Sequence, residues 1–259
     1  LAHVGGRISP EMETPKLLWL KTHLPEAYAR ARHFLDLADF LTLRATGDPA
    51  RSACTVTCKW TYLAHEGRWD ESYFRQVGLG DLAEDGFARI GTSIVEPGAP
   101  IGRGLRPDAA AELGLPPGIA VGASLIDAHS GGAATIGGTG LDGRPVDPFA
   151  RLALIMGTSA CTMALSPEPR FVEGVWGPYL SAMVPGAWLA EGGQSAAGAA
   201  VDELVRRHPA HPAAVERAGR EGIGLLDLLE REAVAAAGGN PAATVCLAAG
   251  LHVVPDLLG

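Results

Sequence analysis

Ile126-Asp127-Ala128-His129-Ser130-Gly131-Gly132 is followed, across a glycine-rich connector, by Ile155-Met156-Gly157-Thr158-Ser159-Ala160-Cys161. The apolar run 119–126 reads as a strand that delivers Asp127 at its C-terminal end, where α/β sheets present functional groups. A carboxylate there can take the proton of a substrate hydroxyl as it attacks a γ-phosphate; it can equally cap the helix that follows. Gly157-Thr158-Ser159 offers successive backbone N–H groups without bulk, and two hydroxyls, so it can wrap an anion. Alone it is also an ordinary hairpin turn. Taken together, the carboxylate and the turn are the parts that phosphoryl transfer to a hydroxyl needs.

Around this pair, Arg151 to Met156 and Cys161 to Leu165 read as the two strands of a hairpin, with further strands over Tyr179 to Val184 and Trp188 to Ala190. A helix is expected from Ser195 to Arg207, and small residues from Ser130 to Ala134 fit the start of another. Gly137 to Pro148 is Gly, Asp and Pro with little to bury, which marks a domain boundary and divides the chain into 1–142 and 143–259. Upstream, Thr14-Pro15 and Pro25 signal helix starts, His33 to Arg44 carries Phe34, Leu37, Phe40 and Leu41 at helical spacing with Gly47 beyond, and Ala53 to Tyr62 reads as extended. Asp81 to Ile90 and Pro107 to Leu113 are short helices. Val253-Val254-Pro255 reads as a strand.

Composition sets the outer limits. The 259 residues include 21 Lys plus Arg and 29 Asp plus Glu, a net charge of −8, and no block of five basic residues interrupts the balance. Nucleic acid is a poor partner for such a surface. No apolar stretch is long enough to span a bilayer and no secretory leader is recognisable, so the expected compartment is the cytoplasm. The four cysteines, at 54, 58, 161 and 246, match no common zinc spacing and read as reduced, buried thiols. The histidines at 129, 208, 211 and 252 show no ligand spacing either and read as surface or core side chains.

Two further charged residues stand out. Glu191-Gly192-Gly193-Gln194-Ser195 puts a carboxylate and an amide before a helix start, where glycine admits a ligand to the backbone and the helix terminus favours negative charge; a simple cap by Gln194 or Ser195 fits as well. Lys59, within Cys58-Lys59-Trp60-Thr61-Tyr62, is a cation among apolar and aromatic neighbours, either paired or snorkelling to the surface. Gly137-Gly138-Thr139-Gly140 lacks the setting of a dinucleotide fingerprint and reads as linker.

The motifs Ser9-Pro10-Glu11-Met12-Glu13-Thr14-Pro15-Lys16-Leu17-Leu18-Trp19, Arg51-Ser52 with Cys58-Lys59-Trp60, Ile126-Asp127-Ala128-His129, Gly157-Thr158-Ser159, Val175-Trp176-Gly177-Pro178-Tyr179 and Glu191-Gly192-Gly193-Gln194-Ser195 together resemble the FGGY carbohydrate kinases, in particular their ribulokinase branch and the group acting on D-ribulose. The resemblance implies an α/β, actin-like (ribonuclease H-like) two-domain kinase fold, present in part. Residues 1–142 would be the end of the sugar-binding domain and 143–259 the start of the nucleotide-binding domain, with sugar and ATP meeting between the domains. It implies ATP-dependent phosphorylation of a ketopentose, with D-ribulose giving D-ribulose 5-phosphate, and Mg²⁺ bridging the ATP phosphates. Asp127 matches the family's catalytic base, Lys59, Asp127 and Glu191 its sugar contacts, and Gly157, Thr158 and Ser159 its second phosphate loop. A homodimer is among the assemblies it allows. Ala160 and Thr162 stand where the family commonly has Thr and His, and Ser130 where it has Ala. The family's opening Asp-Gly-Thr hairpin and closing adenosine-binding segment are not found, so the chain is expected to be a fragment lacking both ends and inactive by itself. Two rival readings are a serine hydrolase with Ser195 as nucleophile and Asp227 and His252 following, and a non-catalytic actin-like sensor of sugar or nucleotide.

Overall fold

A computed structural model describes residues 1–140 and 142–253. They form two compact units: Leu1–Ile155 with Cys161–Gly192, and Met156–Ala160 with the described chain from Gly193 onward. The strand expected over Val253-Val254-Pro255 lies largely outside the described residues.

The first unit opens with helices α1 (Glu13–His23), α2 (Pro25–Arg30) and α3 (Leu37–Thr46). Pro15 falls in the first turn of α1, Pro25 is the first residue of α2, and Gly47 ends α3 in the left-handed conformation that glycine adopts without cost. The apolar stripe of α3 does not face inward. Leu37, Phe40 and Leu41 are exposed, while Asp39 and Thr42 are buried. The cause is Arg51, fully buried, whose Nε donates to Asp39 Oδ2 (2.5 Å), Nη2 to Asp36 Oδ2 (2.8 Å) and Nη1 to the carbonyl of Ile90 (2.5 Å). A guanidinium inside a fold must have its donors met, and that demand turns the polar face of α3 toward the core.

Strand β1 (Arg51–Ser52) runs directly into α4 (Ala53–Trp60). The extended segment expected over Ala53 to Tyr62 is therefore a helix for all but its last two residues. Ser52 caps it by accepting from Cys54 N (3.2 Å), and Thr61 ends it at φ 65°. Its β-branched residues favour strand in isolation, but every residue of the helix except the half-buried Lys59 is buried, which overrides that preference. Val56 and Trp60, one turn apart, enter an aromatic cluster with Trp69, Phe74 and Leu82, and Cys58 enters a second cluster with Met163, Tyr179 and Leu189.

Helices α5 (Glu71–Gln76) and α6 (Gly80–Glu84) follow; the helix expected to reach Ile90 stops at Glu84. Strand β2 (Ile94–Val95) pairs parallel with β1, and α7 (Pro107–Leu113) occupies its expected place. Residues 119–126 do not form the expected strand. Their backbone bonds to the 99–105 segment, as in Ala123 N to Ala99 O (2.7 Å) and Ile101 N to Val121 O (2.8 Å), yet only one isolated bridge forms, Pro100 with Gly122. Pro100 has no N–H to extend a ladder. Asp127 consequently opens helix α8 (Asp127–Ile136), with Ile126 in the capping position; it is neither a strand end nor the cap.

The four-stranded sheet has the order β3-β4-β6-β5, from β3 (Leu152–Met156), β4 (Ala160–Ser166), β5 (Trp176–Leu180) and β6 (Trp188–Gln194). The β3 and β4 strands flank Gly157–Ser159 and lie side by side, as the hairpin reading required. The third strand sits three residues earlier than expected, and the fourth reaches Gln194. Within the antiparallel β5–β6 pair, Trp176 lies opposite Glu191. Helix α8 packs closely on this layer: a Cβ at Gly132 would come within 2.9 Å of Met163 Sδ and 3.0 Å of Met183 Sδ.

The second unit carries α9 (Gly198–Arg207), which starts three residues after the expected Ser195, then α10 (His211–Glu221) and α11 (Leu225–Ala236). No helix among the described residues is long and apolar enough to cross a membrane.

Candidate functional site

In the first unit, three elements each contribute a charged side chain to one neighbourhood. The last turn of α4 carries Lys59, where a cation suits the negative end of the helix dipole. Its ammonium lies 6.0 Å from the centroid of the Trp176 ring. Asp127 begins α8 and is exposed, its Oδ1 accepting from Ala128 N at 2.8 Å. Glu191 comes from β6, where the period of two puts it on the inward face with Leu189; only 9% of it is accessible.

The Cys161 thiol registers all three. Burial raises its pKa, the charge and hydrogen bond of Glu191 raise it further, Lys59 opposes, and Asp127 adds to the rise. Lys59, Asp127 and Glu191 thus all act electrostatically on one thiol of β4, and Glu191 also hydrogen-bonds to it.

Behind Glu191 runs a buried line that sequence reasoning missed. His129, two residues after Asp127, points the opposite way into the core, 1% exposed. Its Nε2 donates to Glu191 Oε2 (3.1 Å) and its Nδ1 to Cys54 Sγ (3.1 Å). Burial disfavours the charged imidazole, but the bonds to Cys54 and Glu191 outweigh it and lift the pKa to about 9. Cys54 is pushed down to about 6, first by the S–H of Cys58 and, against burial, by His129; Ile126 N adds a third donor at 3.4 Å. Cys58 is pushed up, by burial and by giving its proton to that bond. Burial also raises Glu191, yet His129 and then Lys59 hold it below the usual carboxylate value. The shifts together favour a charged imidazole between an ionised Glu191 and the more acidic of the two α4 thiols.

Such a line is the layout of a nucleophile, its base and an orienting acid. Cys54 has no accessible surface, so no substrate can reach its sulfur. Nor does it suit the Mg²⁺ that accompanies ATP. Cys58, His129 and Glu191 hold their donor atoms within 4.8 Å of one another, but both ring nitrogens are engaged, and a thiol and imidazole do not suit Mg²⁺, which takes oxygen ligands. The cysteine expectation holds for Cys54 and Cys58 only; Cys161 is half-buried and Cys246 exposed, and all four are free. A separate cavity of about 190 Å³ in the same unit, between Thr57, Tyr73 and Tyr179, touches none of the three charged residues.

In the second unit, Gly157, Thr158 and Ser159 are exposed. Gly157 N donates to Ser159 O (2.8 Å), closing the turn, while Ala197 N and Gly198 N donate to the carbonyls of Thr158 (2.8 Å) and Gly157 (3.0 Å). Those carbonyls are thereby drawn toward α9. The Thr158 and Ser159 hydroxyls take no protein partner among the described residues, which leaves them available to an anion. Gly198 allows this approach, since a Cβ there would meet Gly157 O at 2.6 Å. The turn's donors fit a phosphate group. Ser195 is exposed between β6 and α9, but among the described residues no hydrogen bond joins it to Asp227 or His252, so the hydrolase line is not assembled.

The family model described as the FGGY family of carbohydrate kinases, C-terminal domain, matches residues 152–259. The chain is 55% identical over 227 residues to an FGGY carbohydrate kinase domain-containing protein of Danio rerio, covering 86% of this chain and 42% of the relative. It is 36% identical over 253 residues to a D-ribulokinase of Saccharomyces cerevisiae, covering 89% of this chain and 35% of the relative. A xylulose kinase of Rhodospirillum rubrum superposes with a TM-score of 0.60 at 19% identity, over 85% of this chain and 42% of that one, which shows the shared fold. Residues 152–259 are thus a C-terminal domain of the FGGY carbohydrate kinase type, and the chain has part of the actin-like ATPase fold of those kinases. It spans less than half the length of each of these three proteins.

Proposed function

We propose that the protein phosphorylates a ketopentose hydroxyl with ATP, taking D-ribulose to D-ribulose 5-phosphate. The observation that carries the reading is that Lys59, Asp127 and Glu191, from three separate elements, all act electrostatically on the same β4 thiol, Cys161; the resemblance to named ribulokinases supports the sugar class. In this reading Lys59 and Glu191 hold sugar hydroxyls. Asp127, exposed at the start of α8, accepts the proton of the attacking hydroxyl. In the Gly157-Thr158-Ser159 turn, Thr158 and Ser159 hold the nucleotide phosphates with their hydroxyls, while Gly157 closes the turn through its N–H and gives the phosphates room. Mg²⁺, when bound with ATP, neutralises phosphate charge; no residue of this chain is assigned to it. Residues 1–142 then belong to the sugar-binding domain and 143–259 to the nucleotide-binding domain. The partner is a small-molecule sugar, the compartment the cytoplasm, and a homodimer is compatible with the reading.

The test is a coupled assay with D-ribulose, L-ribulose, ribitol and D-xylulose, run on the protein at the length of its relatives and on the 259-residue chain alone. Turnover is expected in the former and none in the latter. Asp127→Asn should abolish turnover while sugar affinity persists, because binding does not need the base. Native-like turnover by Asp127→Asn would refute the assignment; a response to sugar without turnover in the unmutated protein would favour a sensor.

A further inference from the structure

We propose that His129 is a positioning residue for the sugar-binding carboxylate: clamped between Cys54 and Glu191 inside the first unit, it fixes the place and charge of Glu191 and ties that strand to the helix that presents Asp127. The inference rests on the reading of Glu191 as a sugar contact given above.

Geometry carries it. A carboxylate on the inward face of a strand has to be neutralised, protonated or turned away. Glu191 has a charged donor at 3.1 Å instead, and that donor is held from behind by a second contact of 3.1 Å. Both ring nitrogens are used, so the imidazole has one orientation. Its three anchor elements, α4, α8 and β6, are the same three that supply Lys59, Asp127 and Glu191. Because His129 follows Asp127 by two residues, locking the imidazole into the core also sets the first turn of α8, with Asp127 on its outer face. A histidine that merely filled space would need neither the thiolate nor the carboxylate.

The titratable groups that act on His129 are Cys54 from α4 and Glu191 from β6, with the Cys58 thiol of α4 within 4.8 Å, and Glu191 in turn is acted on by Lys59 from α4 and Cys161 from β4. The anions dominate, and they keep the ring charged up to about pH 9. Above that pH the imidazolium is lost and Glu191 loses its partner.

The experiment has two arms. On the 259-residue chain, carbon-13-labelled histidine NMR should give His129 a titration midpoint near 9 that falls toward 6.5 in Glu191→Gln. An ordinary midpoint in the unmutated chain overturns the pairing. On the protein at the length of its relatives, His129→Gln should raise sugar KM about tenfold or more with kcat within about threefold, as expected for losing a hydrogen bond to a charged group that binds substrate and transition state alike. The unmutated enzyme is expected to show a rise in KM above about pH 9, and His129→Gln should remove it. In a Glu191→Gln background the same change should add nothing. A purely structural histidine would lower Tm and the active fraction without moving KM or its pH limb. Cys54→Ser is the second variant: it keeps a partner for Nδ1 but no thiolate, so the midpoint and KM should shift in the same directions by less. If the unmutated protein turns over no sugar, the proposed function fails and this inference with it. If it does, Asp127→Asn is dead, and KM is unchanged in both His129→Gln and Cys54→Ser, only this inference fails.

Discussion

Arg51 is where the helical half of the first unit can be broken with a single change. Its guanidinium is fully buried and donates to two carboxylates and two carbonyls, those of Ile90 (2.5 Å) and Phe34 (3.2 Å), while stacking 4.9 Å from the Trp60 ring. Asp39 is 1% exposed and also accepts from Ser52 N (3.0 Å) and Thr55 Oγ1 (2.6 Å), which join α3 to α4. Arg51→Met keeps much of the volume but leaves Asp36 and Asp39 without a cation. Removing one partner of a buried ion pair costs about 3–5 kcal/mol. At roughly 2–4 °C per kcal/mol for a unit of this size, Tm should fall by about 6–20 °C. Trp60 fluorescence reports the event directly, because its indole N–H donates to Asp36 Oδ2 at 2.6 Å. The deficit should narrow at lower pH, where burial already raises Asp36 and the unpaired carboxyls can take up protons. Adding Asp36→Asn and Asp39→Asn should recover part of the loss, since a neutral network costs less to bury than stranded charges. A Tm within about 2 °C of the unmutated protein for Arg51→Met alone would refute the claim that this network turns α3 inward.

Two further outcomes test the second unit and the small helices. Gly198→Val forces a Cβ to 2.6 Å from Gly157 O, so the phosphate turn must move; the KM for ATP should rise by about 10- to 100-fold with sugar KM unchanged, and unaltered nucleotide kinetics would count against that role. Asp70 caps α5 by accepting from Ser72 N (3.0 Å) and Tyr73 N (3.3 Å), so Asp70→Ala should cost about 1 kcal/mol in urea unfolding at pH 7. The Ser72 hydrogen bond, aided by the backbone donors, holds that carboxyl below its usual value. Its contribution is therefore present above the ordinary carboxylate pKa and should vanish as pH falls through and below about 4; a deficit unchanged at pH 3 would contradict the cap.

Where a local signal was strong, sequence and structure agree. Pro25, Gly47 and Pro107 mark helix ends because their backbone preferences act whatever surrounds them. The hairpin around Gly157–Ser159 was likewise readable from two apolar runs and a short turn. Signals that tertiary packing can overrule misled. Ala53 to Trp60 looked extended by its Thr and Val content, although Ser52 as a cap and the one-turn spacings of Cys54 to Cys58 and Val56 to Trp60 were present in the same residues. In α3 a hydrophobic stripe was legible and faced the wrong way, because nothing in Leu37, Phe40 and Leu41 announces a buried arginine fifteen residues after Asp36.

The site divides along the same line. Lys59, Asp127 and Glu191 were visible because charged residues among apolar or glycine-rich neighbours are unusual, and unusual placement survives without coordinates. His129, Cys54 and Cys58 were not, because each alone is an ordinary core residue and their chemistry exists only as a pairing across 62 to 75 residues of sequence. The distinction has a consequence for how the site works. The readable residues can change their partner as ligand arrives, since Lys59 is half-buried and Asp127 exposed. The unreadable ones cannot, since Cys54 and His129 have essentially no accessible surface and every donor they own is in use. On the proposed function, a largely buried carboxylate that meets a neutral sugar hydroxyl has to stay ionised with little help from water, and a fixed buried imidazolium does that without reorganising when the sugar binds. In the proposed reading Glu191 is therefore the one member of the set that belongs to both groups, committed to His129 in the core and meeting the sugar at its accessible edge beside Cys161.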